Sequence, residues 1–301
     1  MWFKNLLVYR LSPSWTIDAD AFENKLSHQP LQPCGGFELE SRGWVYPRDE
    51  GRFLHTLNRQ WLLALGINQK LLPASVVNQV AKDRAAEIAE QQDHPVGRKQ
   101  MREIRDRVHQ ELLPRAFTRL RTTRAWIDPV NGWLAIDTAG EARAEELIKN
   151  LLQCLDDLPL RRLDTERSPA AAMTRWLAAG QVSSDFTIDQ DLELRSSDEG
   201  KATVRYVRHA LEGKEIRDHI AAGKTATRLG MTWKDRISFV LTEQLQIKRL
   251  AFLDILKSEA GEQPEDADEQ FDINFALMTG ELAHMLADLV EVLGGEKPQE
   301  G

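Results

Sequence analysis

The chain has 301 residues, 42% hydrophobic and 29% charged, enough for two or more compact units and ordinary for a globular protein. No run approaches the ~18 apolar residues that a membrane span needs, and the formal charge of −8 at a pI near 5.5 hides an uneven distribution. From Arg98 to Arg124 nine basic residues face three acids, a local +6, whereas Asp254 to Gly301 carries thirteen acids against Lys257 and Lys297, a local −11, so that the first 253 residues sum to +3. A basic body with an acidic C-terminal part points to a polyanion-binding face, with a solvated helix face as the competing reading of the arginine cluster.

In chain order, Trp2 to Leu11 reads as a first strand, because Lys4 and Arg10 interrupt the apolar stretch and no basic leader or small-residue cleavage site accompanies it. An amphipathic helix follows at Asp20 to Leu26. Short strands are predicted around Gly43-Trp44-Val45, Arg52 to Leu57 and Trp61 to Leu65, between Gly, Pro and Asn punctuation. Pro73 opens a different texture: Val76 to Gln92 lacks Gly and Pro and favours a helix. Asp93-His94-Pro95-Val96-Gly97 breaks it, and a second helix runs from Arg98 to Leu113. The two form a helical hairpin of sparse apolar content, of the kind that projects from a body.

Pro114 stops the second helix. Phe117 to Ile127 alternates as a strand, Asp128-Pro129-Val130-Asn131-Gly132 turns, and Trp133 to Asp137 returns. Arg119 and Arg121 then share a face, since alternate strand residues point the same way. A helix at Glu141 to Leu155 completes this unit. Beyond it come helices at Ala170 to Ala179 and Lys214 to Ala222, and strands at Phe186 to Leu194, Thr203 to Val207, Thr225 to Met231, Ile237 to Leu241 and Gln246 to Leu250. Glu259 to Asp272 reads as an acid-rich loop, and Gln270 to Leu293 as a long core-packing helix with an acidic outer face. No repeat of fixed period is present. The predicted class is α+β: mixed antiparallel sheets with packed helices, a projecting helical hairpin and a long C-terminal helix. The expected division is 1–74 with 125–157 as a strand-rich central unit, 75–124 as basic hairpin and tip, and 158–301 as a mixed unit with the acidic C-terminal helix.

Catalytic and metal chemistry is weakly represented. Gly223-Lys224-Thr225 fails the phosphate-loop pattern because Asp218 stands where its first glycine belongs. Asp266, Asp268, Glu269 and Asp272 lack the spacing of a calcium loop. The histidines at 28, 55, 94, 109, 209, 219 and 284 form no metal-ligand spacing, and no serine sits in a nucleophile elbow. Cys34 and Cys154 stand apart, which reads as buried reduced thiols of a cytoplasmic protein. The expectation is a non-enzyme without cofactor or metal.

Several segments together resemble the recombination-associated RdgC family of bacterial nucleoid-associated proteins: Trp2-Phe3-Lys4-Asn5-Leu6, Pro33-Cys34-Gly35, Gly43-Trp44-Val45, Leu112-Leu113-Pro114-Arg115-Ala116-Phe117, Trp126-Ile127-Asp128, Ala222-Gly223-Lys224 and Met278-Thr279-Gly280-Glu281-Leu282. They occur in the family's order along essentially the whole chain. The resemblance implies a double-stranded-DNA binder of little sequence preference. It also implies a homodimer closed into a ring around the duplex, located in the cytoplasm at the nucleoid, that limits the access of the recombinase filament. By the same resemblance Phe117 falls at a subunit contact where the ring opens, Lys224 on the DNA-facing side, and Arg208 and His209 near the gate, where His209 replaces the usual polar partner. Competing readings are an ordinary core aromatic for Phe117 and solvated strand-end charges for Lys224 and Arg228.

Local charge and resemblance together nominate Lys4, Arg115, Arg119, Arg121, Arg124, Lys224, Arg228, Lys248 and Arg249 for DNA contact, with Phe117, Arg208 and His209 at the gate. No short helix carries the marks of base-edge readout, so phosphate contact should dominate. The alternatives are a protein-interaction module of the recombination machinery, gripping its partner through the acidic tail and polar hairpin, and a metal-dependent nuclease.

Overall fold

The structure, a computed structural model, describes residues 2–155, 157–182, 185–254 and 266–298. Among these it is α+β, with seven α-helices and two antiparallel sheets of seven and five strands. The chain forms two compact units. One holds the segments up to Ala19, His55–Leu62 and everything from Arg124 on; the other holds Asp20–Leu54 and Leu63–Thr123.

In the first unit β1 (Leu7–Leu11) pairs with β6 (Trp133–Ile136) in the register Leu7 to Ile136, and on its other side with β7 (Leu160–Arg162). The end of β5 (Thr118–Asp128) pairs with β6 from Ala125–Ile136 to Asp128–Trp133. The turn between them is built by Asp128, whose fully buried carboxylate accepts the backbone N–H groups of Val130 (2.9 Å) and Asn131 (3.0 Å). Gly132 closes the turn at φ +70°, a left-handed conformation open to glycine at little cost. Arg10 lies over the Trp133 ring at 3.9 Å and donates to the carbonyl of Asn131 at 2.6 Å, binding the turn to β1.

The first strand is shorter than predicted. Residues before Leu7 leave this sheet and hydrogen-bond the edge of β12 (Ile247–Phe252): the Leu6 N–H donates to the Ile247 carbonyl at 2.7 Å, and Leu250 donates to the Lys4 carbonyl at 2.8 Å. An apolar run carries no record of which edge it will join. The three-residue β7 was not predicted, being too short to show a period.

The five-stranded sheet has the order β12, β11 (Ile237–Thr242), β10 (Lys224–Trp233), β8 (Phe186–Ser196), β9 (Thr203–Tyr206). Alternation divides it into two faces: Phe239 and Leu241 are buried, whereas Ser238 and Val240 face outward. The inner face shares a core with α5 (Pro169–Ala179) and α7 (Ala267–Val292). Helix α5 starts where Ser168 accepts the Ala171 N–H and Pro169 presets the first turn, and ends at Gly180 in the left-handed region. Helix α7 buries Phe275, Met278, Leu282, Met285, Leu286 and Leu289, each worth about 1.5–3 kcal/mol of transfer free energy. Arg236 holds it with two hydrogen bonds to Glu281 (2.8 and 2.9 Å). Of the acid-rich loop expected at Glu259 to Asp272, residues 259–265 lie outside the described residues. From Ala267 onward the segment is already helix, started by the Asp266 carboxylate accepting the Asp268 N–H. Helix α4 (Glu141–Cys154) and α6 (Lys214–Ala221) fall where the sequence places them.

In the second unit β2 (Glu40–Val45) pairs with β4 (Gln60–Lys70), Gly43 opposite Gly66. The segment Pro30–Leu31 crosses so closely that a Cβ on Gly43 would lie 2.4 Å from the Leu31 nitrogen, which accounts for glycine before Trp44. Helices α1 (Ala19–Ser27), α2 (Ala74–Gln92) and α3 (Arg98–Leu112) match their predicted spans closely; β3 (Leu54–Leu57), which belongs to the first unit from His55 on, is the short end of its predicted strand. The hairpin of α2 and α3 has its own small core of Val77, Ala81, Ala85, Ile104 and Val108, closed by a double hydrogen bond from Arg84 to Glu111 (2.9 and 2.5 Å). Cys34 is only half-buried, its Sγ donating to the Glu38 carbonyl at 3.1 Å; Cys154 is buried, and neither is in a disulfide.

Candidate nucleic-acid interface

In the second unit the basic residues stand on α3 and on the start of β5. Arg98, Arg102 and Arg105 recur at i, i+4 and i+7, a single helix stripe with its side chains about 10 Å apart from end to end at 1.5 Å per residue. They, Lys99 and Arg107 are exposed and make no ion pair among the described residues. The apolar spacing of Ile104 and Val108 turns these cations outward. Arg115 ends the single 3-10 turn Leu113–Arg115, exposed, and Glu111, whose carboxyl Arg84 above all holds below the usual range, also feels its charge. Arg119 is exposed on β5; Arg121 is half-buried, with its Nε–H lacking an acceptor among the described residues.

Phe117 is 86% exposed, which excludes the core-aromatic reading. Its carbonyl accepts from the Leu71 N–H (2.7 Å), and the neighbouring Lys70 N–H donates to Leu39 (2.8 Å). Phe37, Leu39 and Leu71 of the same unit are exposed large hydrophobic residues as well.

In the first unit the outer face of the five-stranded sheet gathers Arg228 from β10 and Lys248 and Arg249 from β12 around one pocket. Arg205 of β9 and Tyr206 join them, and both escaped the sequence reading. Thr203 to Val207 was read only as a strand, and nothing local marks Arg205 as facing Arg228. Two carboxylates of β8 enter the same face: Asp191 pairs with Arg249 (2.9 Å), and Glu193 lies 3.9 Å from Arg228 while accepting from Thr227 Oγ1 at 2.8 Å. Asp189, on the same strand, has its carboxyl pushed up by burial, against the hydrogen bond from Thr232. Lys224 is half-buried with Nζ 3.3 Å from His219 Nδ1, and Tyr206 has His209 at 5.2 Å and His219 at 6.4 Å between ring centres. Arg208 is exposed, left-handed at φ +52°, and its N–H donates to Asp191.

Lys4 is exposed, and its backbone N–H and that of Asn5 donate to Asp137 Oδ1, each at 3.0 Å. Arg124 is half-buried at the start of the unit's β5 portion. The nominated residues therefore divide: Arg115, Phe117, Arg119 and Arg121 belong to one unit, and Lys4, Arg124, Lys224, Arg228, Lys248, Arg249, Arg208 and His209 to the other. Among the described residues no group of three or more His, Cys, Asp or Glu side chains is placed to hold a metal ion, and no helix is long and apolar enough to cross a membrane.

Residues 1–296 match the family model described as "Putative exonuclease, RdgC". Proteins called "Recombination-associated protein RdgC" are similar over their whole length. That of Herminiimonas arsenicoxydans is 54% identical over 300 residues, covering 100% of both chains. That of Dechloromonas aromatica is 54% identical with 98% of each chain covered, and that of Bordetella pertussis 54% with 99% of each. With segments of both units and both sheets inside the matched span, the chain belongs to the RdgC family of recombination-associated proteins.

Proposed function

We propose that this protein binds double-stranded DNA through the phosphate backbone, without sequence preference, as a homodimer that closes into a ring, and that its occupancy of the duplex limits recombinase-promoted recombination at the bacterial nucleoid. The observation that carries the reading is the row of exposed cations on α3 that make no ion pair among the described residues, continued by Arg115 and Arg119. Exposed cations that form no ion pair among the described residues are available to neutralise phosphates and release condensed counterions, a gain that ignores base sequence. The stripe Arg98–Arg105 spans about three base steps at 3.4 Å of axial rise per phosphate of one strand. The exposed Phe117 ring supports a contact between two copies, and a ring needs only weak local contacts because release requires opening a gate.

As a binder it uses no cofactor. The acids nearest the basic sheet face, Asp191 and Glu193, are matched by Arg249, Arg228 and Thr227, which fits charge balancing better than hydrolysis. The test is a duplex titration at several salt concentrations on linear DNA with free and blocked ends. A steep salt slope with equal affinity across sequences, and slower loss from blocked DNA, is expected. Absence of binding at low salt would reject the reading in favour of a protein-interaction module, and cleavage on adding magnesium in favour of a nuclease.

A further inference from the structure

The outer face of the five-stranded sheet carries a feature that non-specific phosphate contact does not require. Along a regular strand Lys248 and Arg249 would point to opposite faces. Here both line one pocket. Ser238 pairs with Ala251 but Val240 pairs with Lys248, so β12 has one residue more than β11 across this stretch. Arg249 occupies that bulge at φ +53°, a conformation costly for arginine, while Leu250 remains buried. A second bulge lies across the pocket: Ala226 pairs with Leu194 and Arg228 with Glu193, leaving Thr227 extra. Thr227 is buried with its hydroxyl bonding Glu193, and Arg228 is exposed. Two bulges thus re-aim cations of two strands at one point.

The charge in the pocket is then countable. Arg249 is matched by Asp191 and Arg228 faces Glu193, while Arg205 and Lys248 have no acidic partner among the described residues. The surplus is two positive charges in a pocket of about 130 Å³, with Tyr206 and Asn5 on its wall. A backbone phosphodiester carries one negative charge and would leave the pocket positive. A phosphomonoester carries about −1.5 to −2 at pH 7 and offers three acceptor oxygens. We infer that the pocket formed by Arg205, Arg228, Lys248 and Arg249 binds a phosphomonoester, either the terminal phosphate of a DNA strand or a free phosphate. All its residues lie in one unit, so the inference stands apart from the duplex reading.

The test is calorimetric titration of the full chain with 5′-phosphorylated dithymidine, with its 5′-hydroxyl counterpart, and with inorganic phosphate as competitor. The phosphorylated dinucleotide should bind at least tenfold more tightly. R205Q and K248Q should each remove about tenfold. R249N, whose new side chain tolerates the left-handed backbone, should weaken binding without lowering the melting temperature. Competition by inorganic phosphate at matching concentration identifies the free dianion as ligand, and competition only at hundredfold excess identifies the strand terminus. Equal affinity for the two dinucleotides, or discrimination unchanged in both R205Q and K248Q, overturns the inference. A 30-base-pair duplex with hydroxyl ends, titrated in parallel, separates the two proposals: its failure to bind while the dinucleotides are still discriminated rejects only the duplex reading.

Discussion

Replacing Arg98, Arg102 and Arg105 together by glutamine isolates the contribution of the α3 stripe. All three are exposed and without ion-pair partners among the described residues, and glutamine matches arginine closely in helix propensity, so the hairpin core of Val77, Ala81, Ala85, Ile104 and Val108 should be untouched. Each cation that neutralises a phosphate contributes about 0.9 to the slope of log K against log salt. Three of them contribute about 2.7 per engaged protomer, which over a fourfold rise in salt from 50 to 200 mM corresponds to about a 40-fold loss of affinity. The triple variant should therefore bind more weakly at low salt but lose about 40-fold less of its affinity across that range. Fluorescence anisotropy on a labelled 30-base-pair duplex at five or more salt concentrations measures both slopes, with circular dichroism as the folding control. A folded variant whose slope matches the parent would refute the stripe as a phosphate-contact surface.

Phe117→Ala should leave the melting temperature of the protomer within a degree or two, because the ring is 86% exposed and exposed substitutions cost within about 0.5 kcal/mol. A buried subunit contact would lose on the order of 3 kcal/mol per ring, seen in sedimentation as at least a hundredfold weaker dimer; an unchanged profile removes Phe117 from the contact. Phe275→Ala, at a fully buried position of α7, should destabilise by about 3–5 kcal/mol, read as a shift of the urea midpoint at constant slope. Asp137 has its carboxyl raised above 3.8, chiefly by burial and despite the N–H bonds from Lys4 and Asn5. A carboxyl raised in the folded state gives stability that is complete below the unfolded value and fades as pH climbs through the folded one. Asp137→Asn keeps an acceptor for both N–H groups and should flatten the fall in stability as pH rises above 3.8; a fall unchanged in the variant, in urea unfolding across that range, would show that the carboxylate is already compensated.

Most elements were legible because their signals are local. The hairpin helices follow from the run without Gly or Pro between Val76 and Gln92 and from the break at Pro95 and Gly97. The β5–β6 turn follows from Asp128, Asn131 and Gly132. The two cysteines are outside any disulfide, as their separation in sequence suggests, but Cys34 is only half-buried. Elements decided by distant partners were misjudged. Lys4 to Leu6 joins β12 instead of extending β1, and β7 is too short to announce itself.

The same division runs through the candidate interface. By itself the sequence determined the class of elements, the basic stretch from Arg98 to Arg124, the stripe that helical periodicity makes of Arg98, Arg102 and Arg105, and, through dispersed motifs, the family. Those depend on residue type and spacing alone. Only the tertiary structure decided that Arg205 meets Arg228, Lys248 and Arg249, that Asp191 and Glu193 offset two of these charges, and that Phe117 stands outside the core. The physical reason lies in strand pairing: a β-bulge shifts register by one residue and reverses which side chains share a face, and neither a bulge nor the pairing of β8, β9, β10 and β12 can be read from the local period of any one strand.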